Sequence, residues 1–129
     1  MITTTIRMLT KEEALAIHDA SLARFGGYPG VRDEGLLDSA VLQPSQSFGG
    51  QELYPTLYEK AARLAYGLIK NHAFLDGNKR VGTACMAAML RLNGRAFRPG
   101  AQELLRTMMG VADGSVSCNE LTAWIGKQD

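Results

Sequence analysis

The chain has 129 residues, 46% hydrophobic and 21% charged, enough to build one core and too apolar for intrinsic disorder. Lys and Arg number 14 against 13 Asp and Glu, a formal net charge of +1, so the basic excess of a nucleic-acid module is absent and no direct nucleic-acid partner is expected. Cys85 and Cys118 make no CxxC pair and read as free thiols of a reducing compartment. The N-terminus holds no apolar signal-peptide core, and the most apolar run, Val81 to Leu90, falls short of the ~20 residues that span a bilayer. One domain over 1–129, cytoplasmic and without a membrane partner, is the expectation.

In chain order, Thr3 to Met8 is rich in β-branched residues and predicts a short N-terminal strand. Thr10 and Glu13 form an S/T-x-x-E capping box before a helix with Leu15, Leu22 and Phe25 at helical spacing, stopped by Gly26-Gly27. After turn chemistry at Tyr28-Pro29-Gly30, Asp33 caps a short helix carrying Leu36, Leu37, Ala40 and Val41, ended before Pro44. Residues 43–54 follow neither period and predict a long loop or irregular hairpin. Pro55 suits the first position of a helix with Leu57, Ala61, Leu64 and Leu68 on one face, running to about Lys70. The next helix, about Lys79 to Asn93, is apolar nearly all round and predicts the buried centre of a bundle. Gly94 ends it, Ala101 to Ala112 resumes a helical pattern, and a second box at Ser117 and Glu120 opens a last helix with Leu121, Trp124 and Ile125 inward. The fold class is all-α.

Chemistry concentrates in His72-Ala73-Phe74-Leu75-Asp76-Gly77-Asn78-Lys79-Arg80, a polar cluster between two apolar segments at the start of a helix. A helix N-terminus offers unpaired N–H groups and the positive end of a dipole, and Gly77 allows close backbone approach to a phosphate. Asn78 adds an amide, Lys79 and Arg80 add charge, Asp76 is a hard oxygen ligand of the kind that holds magnesium, and His72 is the natural general base. Taken singly, His72 is a structural histidine, Asp76 a helix cap, and Lys79-Arg80 a solvated helix start. Their spacing favours phosphate-group transfer. His18-Asp19 superficially matches an HD metal site, but only two histidines are present, and a helix-face histidine is the better reading. Lys70 reads as solvated, Arg32-Asp33 and Tyr28 as fixing a turn, and Cys85 and Trp124 as core packing.

HAFLDGNKR resembles the signature of the Fic/Doc family, written broadly H-x-F-x-[DE]-[GA]-N-[GK]-R. HDASLARFGGYPGVRDEGLLDSA near the start and LRLNG after the motif are similar to stretches of its Doc, or death-on-curing, branch of toxin-antitoxin systems, so the resemblance covers about Leu9 to Ile125. It implies a Fic-fold helical bundle around a buried central helix, with residues 43–54 in the place of the family's small flap hairpin, which aligns the target by strand-like pairing. It also implies His72 as catalytic base, Phe74 as buried anchor and Asp76 as magnesium ligand. Gly77 and Asn78 would form the anion-binding turn, with Arg80 on phosphate. Members that transfer AMP have Gly between the Asn and the Arg; here Lys79 fills that space and offers a phosphate contact, as in the Doc branch. Doc itself has Ala where this chain has Gly77. The implied activity is Mg-ATP-dependent transfer of the γ-phosphate to a Ser/Thr hydroxyl of translation elongation factor Tu, arresting translation. The implied partner is an antitoxin whose disordered segment folds as a helix into a groove. A Fic-type AMP transferase is the enzyme alternative, and a non-catalytic module acting through its antitoxin the other.

Overall fold

A computed structural model describes residues 5–128. Three helices begin at S/T-x-x-E boxes, each satisfying two orphan donors reciprocally. Thr10 starts α1 (Lys11–Phe25), Thr56 starts α3 (Leu57–Asn71) and Ser117 starts α6 (Cys118–Lys127). Asp33 accepts from the Leu36 N–H and caps α2 (Glu34–Leu42). The predicted start of the third helix at Pro55 is two residues early, because Thr56 supplies the cap and Pro55 lies outside it. α4 runs Asn78–Leu92 and α5 Ala101–Asp113.

Residues 43–54 fold as a single 3-10 turn, Gln43–Ser45, and an antiparallel hairpin of β1 (Ser47–Phe48) and β2 (Gln51–Glu52), with Ser47 opposite Glu52 and Phe48 opposite Gln51. No other strand pair forms a sheet among the described residues. The expected N-terminal strand is not found over 5–8, and its residues 3–4 lie outside those described. The Arg7 backbone is satisfied by a side chain instead. Its N–H donates to Asn93 Oδ1 at 2.7 Å, and Asn93 Nδ2 donates back to the Arg7 carbonyl at 2.9 Å. An amide at the end of α4 thus replaces a partner strand.

The fold is an all-α bundle around a buried central helix, but that helix is α3 rather than the predicted 79–93 segment. α3 touches α2, α4, α5, α6 and the 3-10 turn, and buries Ala61, Ala62, Leu64, Ala65, Gly67, Leu68 and Ile69. α4 buries Val81, Gly82, Cys85, Met86, Met89 and Leu90 against it, leaving Thr83, Ala84, Ala87 and Ala88 half-buried. These small residues read as core by composition, yet among the described residues Thr83, Ala84 and Ala87 line an open groove between α1, α4 and α5. α1 also differs: Ala14 and His18 point inward, while Phe25 is 57% exposed. The His18 ring can go inside because its polar nitrogen finds a carbonyl there.

α3 and α4 come close together at Gly82, where an added Cβ would sit 2.6 Å from Ile69 Cγ1 and 3.2 Å from the Ala65 carbonyl oxygen. Among the described residues, no helix is long and apolar enough to cross a membrane.

Gly82→Ala forces the helices apart, and a loss of roughly 1–3 kcal/mol is expected by the usual cost of overpacking, read from the urea midpoint. Backbone and side-chain donors at the caps hold the Glu13, Asp113 and Glu120 carboxyls below their ordinary pKa values. A group depressed in the folded state adds stability that is present above its unfolded pKa, about 4.3 for Glu, and is lost as pH falls through the folded one. The thermal midpoint is therefore expected to drop below about pH 4.5, less steeply in Glu13→Gln/Glu120→Gln.

Candidate active site

α3 ends at His72, whose backbone adopts the left-handed conformation (φ 51°, ψ 50°), an uncommon state for a residue with a side chain. Arg32 holds it there. Its Nε donates to the His72 carbonyl at 2.7 Å and its terminal nitrogen to the Asn71 carbonyl at 3.0 Å, satisfying helix-end acceptors with a cation at the negative end of the dipole. The Ala73 carbonyl accepts from the N–H groups of Arg32 and Asp33, and Leu75 N–H donates to the Gly30 carbonyl. The segment after α3 is thus laced to the α1–α2 connection, with a bridge between Val31 and Phe74. The His72 side chain is left exposed.

Phe74 is the buried anchor expected, 1% exposed. Asn78 brackets it: Oδ1 accepts from the Phe74 N–H and Nδ2 donates to the Phe74 carbonyl, both at 3.0 Å. The Asn78 side chain therefore shapes the turn from within, and what this residue offers an anion is its backbone N–H at the helix start. His18 stacks on Phe74 with ring centroids 3.8 Å apart, and its Nε2 lies 2.8 Å from the Asp76 carbonyl oxygen. A carbonyl only accepts, so the ring carries its proton on Nε2.

The Asp76 carboxylate lies between two loops. Oδ1 accepts from the Gly77 N–H at 2.8 Å and Oδ2 from the Tyr28 N–H at 3.2 Å. A Cβ on Gly27 would come within 2.8 Å of Oδ2, so only glycine lets the α1–α2 connection close over this group. The carboxylate stays exposed, held but with lone pairs to spare. Among the described residues no three His, Cys, Asp or Glu side chains gather as a metal cage. One oriented carboxylate fits magnesium, which draws its remaining ligands from substrate phosphates and water.

Gly77 caps α4 in a left-handed conformation (φ 77°, ψ 21°) that favours glycine, and no side chain caps the N–H groups of this helix. Lys79 and Arg80 are exposed in its first turn. Cations at the positive end of a helix dipole are unfavourable by about 0.3–1 kcal/mol each, an arrangement that an anion relieves. Arg80 leans toward α1, its guanidinium 5.1 Å from the Phe25 ring centroid and a nitrogen 3.4 Å from the Gly26 carbonyl oxygen. Arg24 takes a like distance from that ring, which keeps Phe25 outside the core. Lys79 and Arg80 also border a groove of about 590 Å³ between α1, α4 and α5, floored by Ile17, Ala84, Ala87 and Leu104.

The motif residues thus sit on one connection, His72 held from the α2 side and Arg80 from the α1 side. Lys70 is outside it, exposed and donating to the Ala112 carbonyl at 3.3 Å. Cys85 is core, its thiol pushed up to about 12 by burial and, less, by Glu13. Cys118 is half-buried, its thiol raised by burial against the opposing pull of Arg63. Trp124 packs edge-on to Phe97 and donates from Nε1 to Glu103 at 2.8 Å. Sequence reasoning missed the roles of His18 and Arg32. The Ala14/His18 spacing was the available signal for the first; nothing local marks the second.

The chain is 44% identical over 86 residues to a protein named Toxin Doc from Mycolicibacterium smegmatis, covering 67% of this chain and 64% of that protein, and so spans just under two thirds of that relative's length. It is 32% identical over 117 residues, 90% of each chain, to Protein kinase doc of Escherichia phage P1. The Fic/DOC family profile matches residues 8–90, a stretch that contains α1, the β1–β2 hairpin and the whole of residues 72–80, and the chain belongs to the Fic/DOC family.

Proposed function

We propose that this protein is a Doc-type toxin: a Mg-ATP-dependent protein kinase that phosphorylates a Ser/Thr hydroxyl of translation elongation factor Tu in the cytoplasm and is neutralised by a cognate antitoxin. The observation that carries the reading is the uncapped, glycine-started N-terminus of α4 with Lys79 and Arg80 in its first turn, next to one oriented carboxylate and one exposed histidine. The names of the two relatives, a toxin and a protein kinase, support it.

His72 takes the proton as the acceptor hydroxyl attacks the γ-phosphorus; the bond to the bridging oxygen breaks and ADP leaves. The backbone N–H groups that open α4, with Lys79 and Arg80, bind and orient the phosphates, and Asp76 would hold the magnesium. That ion, when bound, neutralises charge on the transferring phosphoryl group. Because Lys79 stands where AMP-transferring relatives have glycine, γ-phosphoryl transfer is favoured over AMP transfer. The hairpin has both residues of each strand exposed and open edges, which suits docking of an extended target segment by strand addition. The groove between α1, α4 and α5, apolar on its floor and cationic at its rim, suits an amphipathic antitoxin helix with acidic residues.

Intact mass of purified elongation factor Tu after incubation with the protein and Mg-ATP is expected to rise by one phosphoryl group. His72→Asn, chosen because Asn tolerates the left-handed backbone, should cut the rate by about 10²–10⁴, the usual contribution of a general base. Gain of an AMP mass would replace the kinase reading with the transferase one, and no gain in either protein would leave the binding-module alternative. Lys79→Gly should lose at least about tenfold in phosphoryl transfer, as removal of a charged phosphate contact costs, and gain AMP transfer. An unchanged product would remove Lys79 from this account.

A further inference from the structure

Lys60 on α3 is one of the two buried polar or charged side chains among the described residues, 3% exposed, the other being His18. Its ammonium donates to Glu52 Oε1 on β2 at 2.7 Å and to the Pro44 carbonyl at 3.3 Å. The Glu52 side chain is 53% exposed, whereas that of Lys60 is 4% exposed. The pair is lopsided. A surface carboxylate reaches down to a cation that the core has already taken out of water.

That asymmetry has a mechanical meaning. The hairpin is only two residues deep on each side, all four exposed, and an isolated hairpin of this size does not hold its place by itself. Pro44 is buried at its entry and Arg63 lies 5.6 Å from the Tyr54 ring centroid at its exit. Between those ends, the side-chain bond from the strands to the helices among the described residues is Glu52 to Lys60. A buried ammonium that loses its carboxylate is left as an uncompensated charge away from water, so the hairpin is pinned where Lys60 sits.

We propose that the buried Lys60–Glu52 pair is the tether that positions the hairpin, and that these are positioning residues for docking the protein substrate. The role in docking rests on the kinase reading above; the tether itself does not. Glu52→Gln keeps an acceptor but removes the charge, and Glu52→Gln/Lys60→Met removes the buried cation as well, replacing it with an apolar side chain of similar length.

The single variant is expected to lower the thermal midpoint and to speed amide exchange at Leu53, whose N–H bonds the Gln46 carbonyl across the hairpin base, by about tenfold or more, as for local opening. The double variant should recover the midpoint, because no unpaired charge is left in the core, yet keep the fast exchange. Both should raise KM for elongation factor Tu about tenfold with kcat and the KM for ATP nearly unchanged, the mark of lost uniform binding. If the double variant regains slow exchange and wild-type KM, the pair serves stability alone and the tether is wrong. Unchanged exchange in Glu52→Gln overturns it too. Should the wild type modify no elongation factor Tu, the kinase reading fails, while exchange and midpoint still decide the tether without any substrate.

Discussion

Burying Phe74 in a connection between helices places its backbone N–H and carbonyl where water does not reach, and the side chain of Asn78 satisfies both. An orphaned group of either kind costs about 1–3 kcal/mol, so this pairing decides whether the turn exists in its present form. Everything chemical hangs from it. With Phe74 fixed, His18 stacks and bonds the Asp76 carbonyl, Asp76 faces the Tyr28 N–H, and Gly77 begins α4. At the other end Arg32 grips the last two carbonyls of α3 and leaves the His72 ring outside. The backbone of this segment is bonded from three directions, by side chains of Asn78, His18 and Arg32.

Charge is distributed with the same economy. A net charge of +1 over 129 residues conceals a local concentration, because Arg24, Lys79, Arg80 and Arg91 all border the groove between α1, α4 and α5. Local fields act over roughly a Debye length of 8–10 Å, so the near-neutral total says little about what that face attracts. Arg24 and Arg80 each place a guanidinium 5.1 Å from the Phe25 ring centroid at the groove rim.

Much of the architecture was legible because local signals and tertiary need agree. The boxes at Thr10 and Ser117 and the Asp33 cap each mark a boundary that the structure keeps. The 72–80 motif was legible as a unit, since several chemically distinct residues at fixed spacing outweigh the bland reading of each. Burial was harder. Composition made α4 the centre, but which of two apolar helices is enclosed depends on partners far along the chain, and α3 collects more of them. His18 turned inward because a carbonyl 58 residues away accepts a hydrogen bond from its ring. Arg7, near the end of the β-branched N-terminal run, meets an asparagine side chain rather than a strand. A local pattern carries no trace of either partner.

The bond from His18 to Asp76 also bears on the order in which the chain becomes competent. It joins residues 58 apart, and the bonds from Tyr28 and Arg32 to the same connection span 48 and 40. Contacts of such separation come late, because the entropy of closing the intervening chain is lost before the contact returns anything. During synthesis, a nascent chain that has emerged only through α3 holds His18, Tyr28 and Arg32 but none of the turn they clamp. The turn is therefore a property of the finished fold, complete only once α4 has emerged and packed.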